Sequence, residues 1–281
     1  MNLFLRQLGS ELWKLFGKKR TYIGFAIFLL AQNLILFLFH YSSRWQSSYA
    51  NLLTGWGYLA SEFISALTVA VLMLLPQVML LMPLYTTLVG GDLVAKEVED
   101  GTLRMILARP ITRLRLIAVK WVTGVIFAAL LVLVLGGVAL VAANFWFPWK
   151  SMVVIGPDRW FNLFAPGEGL SYYALAHVFL AVNAVTMLSL AFMFSCFNVK
   201  PAAATILALS FLFLNMVLSQ MPFAEDYRDW FLTNHFSSWI LVFKPNVQAS
   251  QFVGSLSVLL GYNLTAFIIG AAAFQVRDFK T

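Results

Sequence analysis

Charge is scarce in this chain. Asp, Glu, Lys and Arg together make up 11% of its 281 residues, against about 25% in an ordinary soluble domain. A globule of this length must cover its outside with polar groups, so the scarcity excludes a soluble fold. Cysteine is reduced to one residue, Cys196, which excludes an intrachain disulfide framework. The three histidines, His40, His177 and His235, are scattered, and the ligand spacings of a metal site are absent. A phosphate-binding loop of the form G-x-x-x-x-G-K-[ST] is also missing. Gly17-Lys18 has its ending, but position 12 is Leu and position 19 is Lys. The hydroxyls around Ser195-Cys196 have no base at a useful spacing, so neither ATP hydrolysis nor intramembrane hydrolysis is expected of this chain, and it is not read as an enzyme.

What fills the sequence instead is apolar residues, at 61%. A helix crossing the hydrocarbon core needs about 20 mostly apolar residues, and six runs qualify: 22–39, 66–89, 116–143, 172–197, 202–220 and 252–274. They are continuously apolar, without the in–out alternation of a membrane barrel. The expected fold is therefore all-α: a polytopic membrane protein with six transmembrane helices in one domain, 1–281. The first run follows roughly twenty residues and exceeds the 7–15 residues of a signal's apolar region, so it reads as a retained span.

The net charge of +7 is not a nucleic-acid signature, because the basic residues sit in short blocks between apolar runs. With the N-terminus placed in the cytoplasm, 14 Lys and Arg fall on the inner face and 5 on the outer. That bias puts both termini inside. Trp45, Trp56, Trp146, Trp149, Trp160, Trp230 and Trp239 all fall in outer segments, where amphipathic rings prefer the interface. Residues 3–16 place Leu5, Leu8, Leu12, Leu15 and Phe16 at helical spacing, with Arg6, Gln7, Ser10, Glu11 and Lys14 opposite. Such a helix lies in the inner interface against lipid headgroups, either as a plain anchor or in contact with a partner. The outer segments 144–171 and 222–251 are rich in aromatics and read as interfacial caps, with short helices or a re-entrant piece around Pro222 to Pro245.

The segment 90–113 is the most charged part of the chain, yet Leu93, Val94, Val98, Leu103, Ile106 and Leu107 keep helical intervals. The pattern describes one or two short amphipathic helices along the inner surface, broken near Gly101. Pro110 stops the helix, and Thr112 is placed to cap the start of the third span. A solvated inner loop has much the same composition, so charge alone assigns it no role.

The run from Asp92 through Glu97-Val98-Glu99-Asp100-Gly101-Thr102-Leu103, then Leu107-Ala108-Arg109-Pro110-Ile111-Thr112-Arg113 and Lys120, resembles the cytoplasmic signature of ABC-2 type transporter permeases. There an acidic pair, Gly-Thr-Leu, a residue with Pro, Ser/Thr-Arg and a later Lys recur between spans two and three. The resemblance implies a permease subunit of an ATP-driven transporter, by family habit an exporter, in a bacterial or archaeal cytoplasmic membrane. It would pair with a second permease copy or close relative and with two copies of a cytosolic ABC ATPase subunit. ATP and Mg would be bound by that subunit, with no cofactor in this chain. The segment 92–108 would be the coupling helix. Glu97, Asp100, Gly101, Thr102, Leu103 and Arg104 would make the ATPase contact or hold its shape, and Arg109, Pro110 and Arg113 would set the turn into span three.

Two other classes stay open on the residues alone. An ion-coupled or facilitative transporter normally shows an acid or base within a span, and Glu62 lies only at a span's edge. Gln32, Asn33, Gln77, Asn183, Asn215 and Asn263 either line a pathway or bond across helices. The third class is a membrane anchor or assembly factor whose inner loop recruits a different soluble partner.

Overall fold

A computed structural model describes residues 3–108, 111–156, 160–246 and 249–278. Six helices in it are long and apolar enough to cross a bilayer: α2 (Lys19–Tyr41), α4 (Ala66–Glu99), α6 (Arg113–Trp146), α7 (Pro166–Cys196), α8 (Pro201–Ser219) and α9 (Ala249–Val276). They coincide with the six runs expected from sequence. Before them comes α1 (Leu3–Phe16), and between them lie α3 (Ser43–Gly55) and the short α5 (Thr102–Leu107). The fold is that of a polytopic, largely helical membrane protein.

The helices divide into a core and a periphery. α4 and α7 are the most enclosed, while α2, α8 and α9 bury less than a third of their most apolar stretch. All six are apolar around their whole circumference because lipid and protein interior make the same demand of a side chain. α4 fits between α7 and α8 because it is thin there. A Cβ on Gly90 would lie 2.4 Å from the Leu188 carbonyl oxygen of α7, and one on Gly91 would lie 3.1 Å from the Pro201 carbonyl oxygen of α8. Small residues at such points let membrane helices approach backbone to backbone.

α4 is interrupted by a π-helical turn, Gln77–Leu81, between Pro76 and Pro83. Proline withholds an N–H and crowds the preceding turn, and the wider turn absorbs both. The Gln77 backbone N–H bonds to the Leu74 carbonyl, and its side-chain amide donates to the Met73 carbonyl at 2.9 Å. The second span thus carries its irregularity with that carbonyl satisfied by a local side chain.

The segment 144–171, read from sequence only as an interfacial cap, holds an antiparallel hairpin, β1 (Met152–Ile155) paired with β2 (Phe161–Phe164), with Met152 opposite Phe164 and Ile155 opposite Phe161. The β-branched run Val153-Val154-Ile155 favours strand. The hairpin is tied to the start of α4, where the Thr68 hydroxyl accepts from the Val153 N–H at 3.0 Å. The segment after α8 carries short helical pieces, Pro222–Trp230, Leu232–His235 and Ser238–Leu241, as its aromatics suggested. These elements gather at one end of the bundle. At the other lie α1, α5, the turn between α7 and α8, and the end of α9.

Candidate functional site

α4 is 34 residues long, about 50 Å at 1.5 Å per residue, which exceeds the ~30 Å hydrocarbon core. Gly90 to Glu99 therefore continue the span helix and do not form a separate surface helix. Asp92, Leu93, Val94 and Ala95 within this stretch are buried. The segment matching the expected coupling helix is thus composite: the last turns of α4, a break, and the six-residue α5.

The break falls where sequence placed it. Gly101 has φ +72°, the left-handed region in which a side chain is strained and glycine is not. The Thr102 hydroxyl spans the break, donating to the Glu97 carbonyl at 3.3 Å. Beyond it Leu103 is buried and anchors α5, while Met105 is 67% exposed. At the next helix the Thr112 hydroxyl accepts from the Arg115 N–H at 3.3 Å, the capping expected of it. Arg109 and Pro110 lie outside the described residues.

The acidic residues of this segment separate into two groups. Glu99 and Asp100 point outward and pair with Lys96 of the same helix at 2.7 and 3.2 Å. Glu97 turns inward. Its carboxylate meets Lys120 of α6 at 2.8 Å and Lys14 of α1 at 3.5 Å. Lys120 is only 1% exposed and also meets Glu11 of α1 at 2.8 Å, and Glu11 pairs in turn with Lys14. Two cations and two carboxylates alternate in a nearly closed ring, so a lysine at the edge of an apolar helix is neutralised where an isolated charge would be costly. Nearby, Arg20 pairs with Asp92 at 2.6 Å, a second link between the N-terminal region and α4.

The ring changes the reading of α1. Glu11 does not lie with the exposed polar residues; it turns toward α6 together with Leu8, Leu12 and Leu15, while Leu5 and Trp13 are exposed. Between α1 and α5 a cleft of about 680 Å³ remains, lined by Leu3, Gln7, Thr102, Met105, Ile106 and Val119 among others. Sequence reasoning assigned no partner to Lys120 and missed its pairing with Glu11 and Glu97. A lysine interrupting an apolar run was itself the signal, because such a charge requires a counter-charge.

Titration of the ring has a definite sign. Burial acts to raise the Glu11 carboxyl, but Lys120 and Lys14 outweigh it and hold the group below its ordinary value of 4.5. Glu11 therefore contributes to the attachment of α1 above that value, and the contribution is lost as pH falls through its depressed folded value. Burial acts to lower Lys14, yet Glu11 and Glu97 hold it above 10.5. Its contribution is present below 10.5 and is lost as pH rises through the raised value. The mobility of a nitroxide at Gly9, on the exposed side of α1, is expected to stay constant through neutral pH and to rise only in acid, as pH falls through the depressed Glu11 value. Mobility that is flat down to pH 2 would show that the ring does not hold α1.

Residues 23–279 match a family described as a protein of unknown function (DUF2705), and this chain belongs to that family. No curated protein matches the sequence.

Proposed function

We propose that this chain is the membrane-spanning permease subunit of an ATP-driven ABC transporter, working as an exporter with a separate cytosolic ATP-binding subunit. The observation that carries the reading is α5. A left-handed glycine ends a 50 Å-class span helix, and a six-residue helix follows, rooted by Leu103 and presenting Met105 outward. This element coincides with the Gly-Thr-Leu signature, and it sits at the end of the bundle where the basic residues concentrate. The 14-to-5 bias supports placing that end in the cytoplasm. On this reading ATP-driven closure of two partner subunits pushes α5, and α4 and α6 carry the movement to an interface between two permease copies.

The geometry redistributes roles among the signature residues. Glu97 holds the element to the bundle, so reversing its charge would disturb folding along with docking. The informative variant is Met105→Glu on α5. It is expected to leave insertion and yield unchanged and to weaken retention of a co-purifying ATPase at least about tenfold, as for a hot-spot contact. Undiminished retention in this variant would remove α5 as the docking element.

A further inference from the structure

Helix C-termini leave their last carbonyls without intrahelical partners, and these carry partial negative charge that favours a cation. Two arginines at the α5 end of the bundle use this across helices. Arg113, the first residue of α6, donates from Nη1 to the carbonyl of Gln275 at 2.7 Å, in the last turn of α9, and to that of Arg277 at 2.9 Å, just past its end. Arg277, just past α9, donates from Nη1 to the Phe197 carbonyl and from Nη2 to Asn198 Oδ1, both at 2.8 Å, at the end of α7. The start of the third span therefore holds the end of the sixth, and the end of the sixth holds the end of the fourth. A planar guanidinium serves two acceptors at once in a way an ammonium does not.

A polar cleft of about 180 Å³ brings Arg277 and Asn198 beside the root of α5: Gly101, Leu103 and Arg104 line it together with Asn198, Arg277 and Asp278. Arg113 reaches it only through its bond to the Arg277 carbonyl. We infer that Arg277, beside the root of α5, and Arg113, which holds the Arg277 backbone, are positioning residues that join the ends of α6, α9 and α7 to α5, so that displacement of α5 moves the third, sixth and fourth spans together. The source of the displacement rests on the transporter reading above, whereas the linkage itself does not.

The test uses the whole chain in lipid nanodiscs, with spin labels at Leu114 and Lys200. Both positions are exposed, and the single native thiol, Cys196, is buried. Without nucleotide the unmodified pair is expected to give one narrow distance. Arg113→Gln and Arg277→Gln should each broaden it about twofold, and the double variant no further, because both break one chain of contacts. Unchanged distances in both single variants would overturn the linkage whether or not an ATPase exists. In the complex with a co-purified ATPase, ATP with vanadate should shift this distance. Arg277→Gln should lose at least about half the shift while ATPase binding and hydrolysis persist, and Arg277→Lys should recover part of it. A full shift in Arg277→Gln would reduce the arginines to local helix caps and overturn the inference. Absence of any ATPase would defeat the transporter reading alone, leaving the nucleotide-free distances to decide the linkage.

Discussion

Replacing Lys120 with alanine is expected to release the N-terminal helix from the bundle. Lys120 is the only member of the ionic ring that is fully enclosed, and it touches both carboxylates at 2.8 Å. Its loss leaves Glu11 and Glu97 facing each other with Lys14 alone between them, and Lys14 stands 3.5 Å from Glu97. Breaking a buried pair by removing one partner costs about 3–5 kcal/mol. The lower end applies here, because Lys14 still pairs Glu11 and both carboxylates retain some contact with solvent. Amide exchange over 3–16 should accelerate more than about a hundredfold by that energy, with α7 and α8 much less affected. The triple variant Lys120→Met, Glu11→Gln, Glu97→Gln should restore much of the protection, since it removes the stranded charges along with the cation. Unchanged exchange in Lys120→Ala would mean that α1 is held by its apolar face alone.

Gly90→Val is expected to act on the centre of the bundle. The first added carbon would already lie 2.4 Å from the Leu188 carbonyl oxygen, a backbone atom of α7 that no rotamer change can move. α4 and α7 would have to separate over the stretch where both are most enclosed. Overpacking of this kind costs about 1–3 kcal/mol for extra methylenes in a core, and a fixed backbone obstacle places Val at the upper end. Gly137 on α6 is the control, since nothing lies within 4 Å of a Cβ there. In detergent, Gly90→Val should unfold at markedly lower temperature or fail to accumulate, while Gly137→Ala should behave as the unmodified chain. Equal stability of the two would show that the α4–α7 approach is looser than described.

These two predictions mark what was legible in the sequence and what was not. The six spans were legible because a bilayer imposes one requirement along the whole length of a helix, and no tertiary knowledge is needed to see it. The same uniformity hides which face of each helix packs. α2 and α9 are apolar all round, yet most of each stays exposed. The left-handed break at Gly101 and the Thr112 cap were readable because both are local backbone chemistry. Gly90 and Gly91 were placed just past the second apolar run, 66–89, as the start of a separate inner-surface segment. Here their missing side chains admit α7 and α8, a reason that exists only once the helices are assembled. The ionic ring was hidden for a related cause: Glu11 and Lys120 lie 109 residues apart, and no spacing rule joins them. The hairpin at Met152–Phe164 was not legible because its strands are only four residues each, within a segment whose aromatics marked it no further than as an interfacial cap.

The most direct measurement is to purify the tagged chain from its native membrane in mild detergent and identify the proteins that accompany it. A P-loop ATPase in near-equal amount, retained by the unmodified chain and lost with Met105→Glu, is the expected result. An intact, folded preparation that brings no ATPase, in a membrane where its activity is indifferent to ATP, would contradict the transporter reading.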